Sequence, residues 1–210
     1  MNFKQVLLVQ SPKTVKREDL EYTGKILLPQ DALGQIINSN HYQQSVMLFS
    51  LKNQKNLLEF AVGVESFTSD PASVVIPLWI QEQLALVEND KVQISLINPP
   101  SGTFALFQPY TEAFNKLSNP RAILEHHFRA LSCLTQGTTI TIVFNKKEYK
   151  LKVLKVEPKP CVSIINADLE TDFATPRSLY THNWGEEEES YEPNKVNSTP
   201  YMGKAHTLKK

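Results

Sequence analysis

The sequence predicts a mixed β/α fold in two parts, a small barrel of short strands followed by a helix packed on a β-hairpin. Three observations carry this prediction. A capped helix opens at Asn119 and Pro120 and is followed by runs that alternate apolar and polar residues. Two strand, proline, short-helix units recur in the first half, at Pro29 and Pro77. The remaining apolar runs are short and bounded by turn residues, as strands of a closed sheet are.

In chain order, Val6 to Val9 reads as an opening strand, and a polar connection runs from Ser11 to Tyr22. GKILLPQDALGQI, residues 24 to 36, is a strand feeding a helix whose inward face is Leu33, Ile36 and Ile37. Val46 to Leu51 and Leu57 to Val64 are two strands joined by KNQKN, and SFTSDPAS follows as a loop on turn chemistry. VVIPLWIQEQL, residues 74 to 84, repeats the earlier device: Leu84 stands seven positions after Pro77, as Ile36 stands seven after Pro29. Such a repeat suggests pseudo-symmetric halves of one barrel. The preference of proline for helix starts accounts for the same letters by itself.

Lys91 to Ile97 and Thr103 to Phe107 read as a strand pair around NPPSG, and FQPYTEAFNKLS leads to the central helix. There Asn119 can accept from the free amides of the first turn, and Pro120 loses nothing by lacking an N–H. Leu124, Phe128 and Leu131 fall at i, i+4 and i+7, Ile123 and Leu134 widen the stripe, and Gly137 supplies a left-handed terminator. Ile140, Ile142 and Phe144 then alternate, Asn145 to Lys147 turns the chain, and Tyr149, Leu151 and Val153 alternate with lysines: a hairpin. Cys161 to Ile165 is a continuous apolar run suited to a fully buried strand. The total is roughly eight to ten strands and three short helices.

A chain of 210 residues, 41% hydrophobic and 21% charged, can bury a real core. Lysine plus arginine equals aspartate plus glutamate, 22 against 22, so net charge announces neither nucleic acid nor a membrane surface. The opening MNFKQVLLVQ has too short an apolar run for a signal peptide, and no apolar run approaches a membrane span. Cys133 and Cys161 read as two reduced core thiols or as one buried disulfide. After Phe173 the periodicity stops. Residues 174 to 200 carry three prolines and the run Glu186 to Glu189, the composition of a disordered acidic tether.

No catalytic constellation stands out. Five histidines are scattered, and adjacent His126 and His127 diverge by about 100° on a helix, so they cannot share a metal from one face. Asp168, Glu170 and Asp172 would share one face of a strand, either as a cation site or as a solvated strand end. The seven glycines form no phosphate-cradling loop, and no nucleophile sits in a recognisable elbow. The residues predict a binding module with no metal and no cofactor.

GKILLPQDAL, VMLFSL, LLEFAVG, IPLWIQEQL, LFQP and the block from NPRAILEHHF through SCLTQG to ADLETDF follow one another in an order and spacing that resembles the ubiquitin fusion degradation protein 1 family. The resemblance covers about residues 20 to 173. Its most specific pieces are the helix start at Pro77 and Trp79, LFQP at Leu106 to Pro109, and SCLTQG at Ser132 to Gly137. It implies a double-psi β-barrel over 1–109 and an α/β roll over 110–173, then the tether over 174–200. It also implies a non-catalytic adaptor, cytoplasmic and nuclear, that binds polyubiquitin or ubiquitinated clients and brings them to the valosin-containing AAA+ ATPase.

Family members dock on that ATPase through a box of pattern F-x-G-x-G-x-x-L. Residues 201–210 begin YMGKAHTL, with Tyr201 at the aromatic position, Gly203 at the first glycine and Leu208 at the terminal leucine; Ala205 replaces the second glycine. An aromatic and a leucine fill two pockets while glycine lets an extended backbone approach a receptor. The family continues beyond this box into a segment that engages the nuclear protein localisation 4 homologue. The resemblance here stops short of that partner, and it names no ubiquitin-binding residues. Two other readings remain: a diverged relative that binds only the ATPase, and a double-psi-barrel enzyme, for which the required D-[ST]-G aspartates are absent.

Overall fold

Twelve strands and three α-helices organise residues 3–38 and 46–179, the residues described by the computed structural model. Strands β1 (Lys4–Gln10), β2 (Lys25–Pro29), β3 (Leu48–Asn53), β4 (Glu59–Ser69), β5 (Ser73–Val75) and β6 (Lys91–Ile97) close a barrel in the order β1-β5-β2-β4-β3-β6. Alternation fills it: Leu7 and Val9, Phe49 and Leu51, Val92 and Ile94 point inward and are buried. Helices α1 (Gln30–Asn38) and α2 (Leu78–Leu84) plug it with Ala32, Ile36, Ile80 and Leu84. The two repeated units sit side by side. Their strands β2 and β5 meet antiparallel at Leu27 and Val75, and each has a parallel partner, β4 and β1 respectively.

The second unit is a four-stranded sheet, β12-β7-β10-β9, and a two-stranded one, β11-β8. Here β7 is Phe104–Pro109, β8 Cys133–Thr135, β9 Thr139–Phe144, β10 Lys147–Glu157, β11 Cys161–Ser163 and β12 Glu170–Phe173. Helix α3 (Pro120–Phe128) buries Leu124 in the second core, the cluster that also holds Phe107, Ile142 and Tyr149. Its start is the expected one, with the Asn119 carboxamide oxygen accepting from the Ala122 amide at 3.1 Å. The hairpin also forms as expected, and Asn145 and Lys146 both take positive φ, the twist that suits a two-residue hairpin loop.

Several expectations need correction. β6 and β7 do not pair. Both edges of β6 are taken by β1 and β3, so the chain leaves the barrel and β7 joins β10 and, in parallel, β12; the stretch Phe104–Pro109, assigned above to the barrel span 1–109, thus belongs to the second sheet. α3 ends at Phe128, and residues expected to extend it to Leu134 form a loop and β8, because the Ala130 carbonyl accepts the Gly24 amide and β8 pairs with β11. Cys133 is therefore a strand residue, and Gly137 serves the turn after β8 with φ +84°. β11 is shorter and less buried than its letters suggest. β4 runs on through Ser66 to Ser69, where a loop was expected.

Residues 174–179, placed with the tether by sequence, run against the sheet. Ala174 donates to the Phe107 carbonyl at 2.8 Å, Pro176 is buried, and a 3-10 turn spans Arg177–Leu179. The rest of the expected tether and the box at Tyr201, Gly203 and Leu208 lie outside the described residues.

Candidate functional site: a hollow across the seam

The two units are joined by side chains that serve both. Trp79 packs on both hydrophobic cores, meets Phe60 edge-on at 5.5 Å between ring centroids, and donates its indole N–H to the Thr23 carbonyl at 3.1 Å. One turn later Gln83 clasps β9: its Nε2 donates to the Thr139 carbonyl at 2.5 Å and its Oε1 accepts the Thr139 amide at 2.6 Å. The side-chain amide thus mimics a neighbouring strand. Below them Gly63 lets β4 approach the buried Ser132, whose Oγ would stand only 2.1 Å from a Cβ at position 63. These contacts fix the units relative to one another.

Beside Trp79 the seam opens into a hollow of about 310 Å³. Its apolar floor is Tyr22, Leu78, Trp79 and Val143, brought from the 3-10 turn Glu18–Tyr22, from α2 and from β9. Three of these are large exposed apolar side chains: Tyr22 at 60%, Val143 at 38% and Leu78 at 36%. Single exposed apolar residues need no explanation, whereas a cluster ringed by charge marks an interaction surface. The ring holds Glu21, Glu82 and Glu148 against Lys13 and Lys150.

Glu21 is the most informative of these. Its Oε2 accepts the Leu78 amide at 2.8 Å, while its Oε1 is buried with no hydrogen-bond partner among the described residues. Burial holds this carboxyl above its ordinary range, against the pull of the Leu78 amide and of Lys13. Glu21 thus ties the 3-10 turn to the start of α2, and its hidden oxygen is out of reach of an outside donor in this arrangement.

Among the described residues, the remaining candidates weighed from the sequence lie away from the hollow. Cys133 and Cys161 are free, and burial pushes both thiols up, away from reactivity. Their strands pair Cys161 with Thr135 and Ser163 with Cys133, so the two are diagonal neighbours rather than opposite. Asp168 precedes β12, while Glu170 and Asp172 project from it; no three His, Cys, Asp or Glu side chains among the described residues are grouped to hold a metal. His127 is packed against β9 and its pKa is depressed, chiefly by burial, while His126 is exposed. No helix among the described residues is long and apolar enough to cross a membrane.

Sequence reasoning singled out Trp79 but not Tyr22, Leu78, Val143 or Glu21. The signal available was faint: Leu78 is an apolar residue off the buried stripe of Ile80 and Leu84, and Tyr22 ends an acidic turn.

Comparison with known proteins agrees with this division of the chain. Residues 3–100 match the family described as "Ubiquitin fusion degradation protein UFD1, N-terminal subdomain 1", and residues 101–176 match its "N-terminal subdomain 2". The chain is 37% identical over 160 residues to "Ubiquitin recognition factor in ER-associated degradation protein 1" of Homo sapiens, covering 76% of this chain and 52% of that protein. It is 37% identical over 161 residues to "Ubiquitin fusion degradation protein 1 homolog" of Dictyostelium discoideum, covering 77% and 48%. The figure for "Ubiquitin fusion degradation protein 1" of Saccharomyces cerevisiae is 33% over 165 residues, covering 77% and 45%. The chain spans about half the length of the curated relatives it matches.

Proposed function

Because the chain belongs to the ubiquitin fusion degradation protein 1 family, we propose that it is a non-catalytic adaptor in ubiquitin-dependent protein degradation. It binds ubiquitin on tagged clients and recruits them to the valosin-containing AAA+ ATPase in the cytoplasm and nucleus. The names of its relatives, which speak of ubiquitin recognition in ER-associated degradation, support the first half. The observation that carries it is the seam hollow, where the exposed apolar side chains of Tyr22, Leu78 and Val143 gather beside Trp79 within a ring of charge. Such a surface suits an apolar patch ringed by cationic donors. Recruitment rests on Tyr201, Gly203 and Leu208. The barrel is of the double-psi kind in this reading, supported by its two parallel pairings, β1 with β5 and β2 with β4.

Titrating ubiquitin into the ¹⁵N-labelled chain is expected to shift the amides of Tyr22, Leu78 and Val143. Tyr22→Ser combined with Val143→Ser removes two exposed apolar contacts and should weaken binding at least about tenfold, the loss of one modest hot spot. Shifts confined to other surfaces would move the site, and no shifts at all would remove ubiquitin from the function.

For the second half, Tyr201→Ala with Leu208→Ala is expected to abolish capture of the ATPase's N-terminal domain. Undiminished capture would refute the box. Capture without ubiquitin shifts would instead leave a competitor for the ATPase.

A further inference from the structure

The open face of the four-stranded sheet carries three cations, of which only Lys150 also borders the hollow. On β10, Tyr149, Leu151 and Val153 point inward, so Lys150 and Lys152 project from the opposite face. Arg177 lies over the Tyr110 ring, 5.6 Å from its centroid. None of these three cations forms an ion pair among the described residues, whereas Lys155, farther along β10, is neutralised by Glu157 at 2.5 Å. The Tyr110 hydroxyl registers the resulting field. Its pKa is lowered, first by the hydrogen bond it shares with Thr139 and further by the charges of Lys152 and Arg177.

We propose that the acidic run Glu186–Glu189 of this same chain folds back onto the Lys150, Lys152 and Arg177 face. Two arguments choose this occupant. The first is complementarity: four consecutive carboxylates meet a cluster of unpaired cations. The second is where the chain leaves the sheet. The Ser178 amide donates to the Tyr110 carbonyl at 3.1 Å, and the Tyr110 amide donates to the Lys150 carbonyl at 3.0 Å, so the exit lies beside Lys150. Glu186 is seven positions beyond Leu179, a reach of at most about 25 Å, against about 7 Å from Lys150 to Lys152. So short a connection holds the run at roughly millimolar effective concentration, enough for weak exposed pairs to matter.

Lys150 also borders the hollow described above, and the fold-back does not depend on the proposed ubiquitin reading.

The test contains no ubiquitin, so its outcome is independent of that reading. Amide spectra of the full chain are compared with those of a variant carrying Glu186→Gln, Glu187→Gln, Glu188→Gln and Glu189→Gln, at about 50 and about 500 mM salt, between which the Debye length falls roughly threefold. The expected result is a shift difference at Tyr110, Lys150, Lys152 and Arg177 at low salt that collapses at high salt. Lys150→Glu with Lys152→Glu, at exposed or half-exposed positions, should abolish the same difference. Identical spectra at low salt would overturn the proposal, and so would differences that scale with protein concentration, since those belong to a contact between copies.

Discussion

Trp79→Ala is expected to destabilise the chain by about 3 kcal/mol, the lower end of the range for emptying an aromatic core site, because the ring is partly buried. The loss stays within that range because the ring packs against two cores at once and its N–H satisfies the Thr23 carbonyl. Trp79→Phe separates the two contributions. It retains much of the ring volume and gives up the hydrogen bond to the part-buried Thr23 carbonyl, a cost of about 1 kcal/mol. Urea unfolding followed by fluorescence or circular dichroism reads both. A joint that merely sits between independently stable units would split the transition of Trp79→Ala into two steps. A single, shifted step would mean that the units still unfold together. A change below about 1 kcal/mol, typical of surface substitutions, would contradict the bridging role.

Gly63→Ala is expected to cost about 3 kcal/mol, at the upper end for an overpacked core, or roughly 10 °C in Tm for a chain of this size. The backbone at Gly63 is not in the left-handed region, so the effect is steric. A Cβ there would lie 2.1 Å from Ser132 Oγ and 2.8 Å from Ser132 Cβ. Rotating the hydroxyl relieves the first contact and leaves the second, so β4 and the segment before β8 must part. Ser132→Gly removes both atoms. In a double-mutant cycle it should recover most of the loss, with a coupling of about 2 kcal/mol. Additive losses would place the strain elsewhere.

These predictions draw on contacts that the sequence reveals unevenly. The start of α3 was legible because its signal is local: Asn119 and Pro120 carry their own hydrogen-bonding consequence wherever the helix packs. Its end was not. Leu131 and Leu134 continue the helical period, yet the Ala130 carbonyl is taken by Gly24, more than a hundred residues earlier, and the chain turns into β8. No local pattern encodes that bond.

The hairpin of β9 and β10 was readable from alternation and a two-residue turn, while the partner of β7 was not, because β7 pairs with strands that come later. The strand and helix around each proline were legible too, and their neighbouring positions in the barrel agree with the repeat. The hollow was the least visible feature. Tyr22, Leu78 and Val143 come from three distant stretches, and an exposed apolar residue in one stretch gives no hint that two others will join it. Family resemblance named no residues there, and only the geometry brought the three side chains together.

The clasp of Gln83 on Thr139 has a bearing on solubility. β9 is the last strand of its sheet, and its outward amides would otherwise invite another chain to extend the sheet, the usual route to aggregates. A side-chain amide that occupies the first of those positions acts as a stopper. It is borrowed from the barrel, so the margin stays guarded only while the two units remain docked, and a newly made second unit presents it bare until the joint has closed.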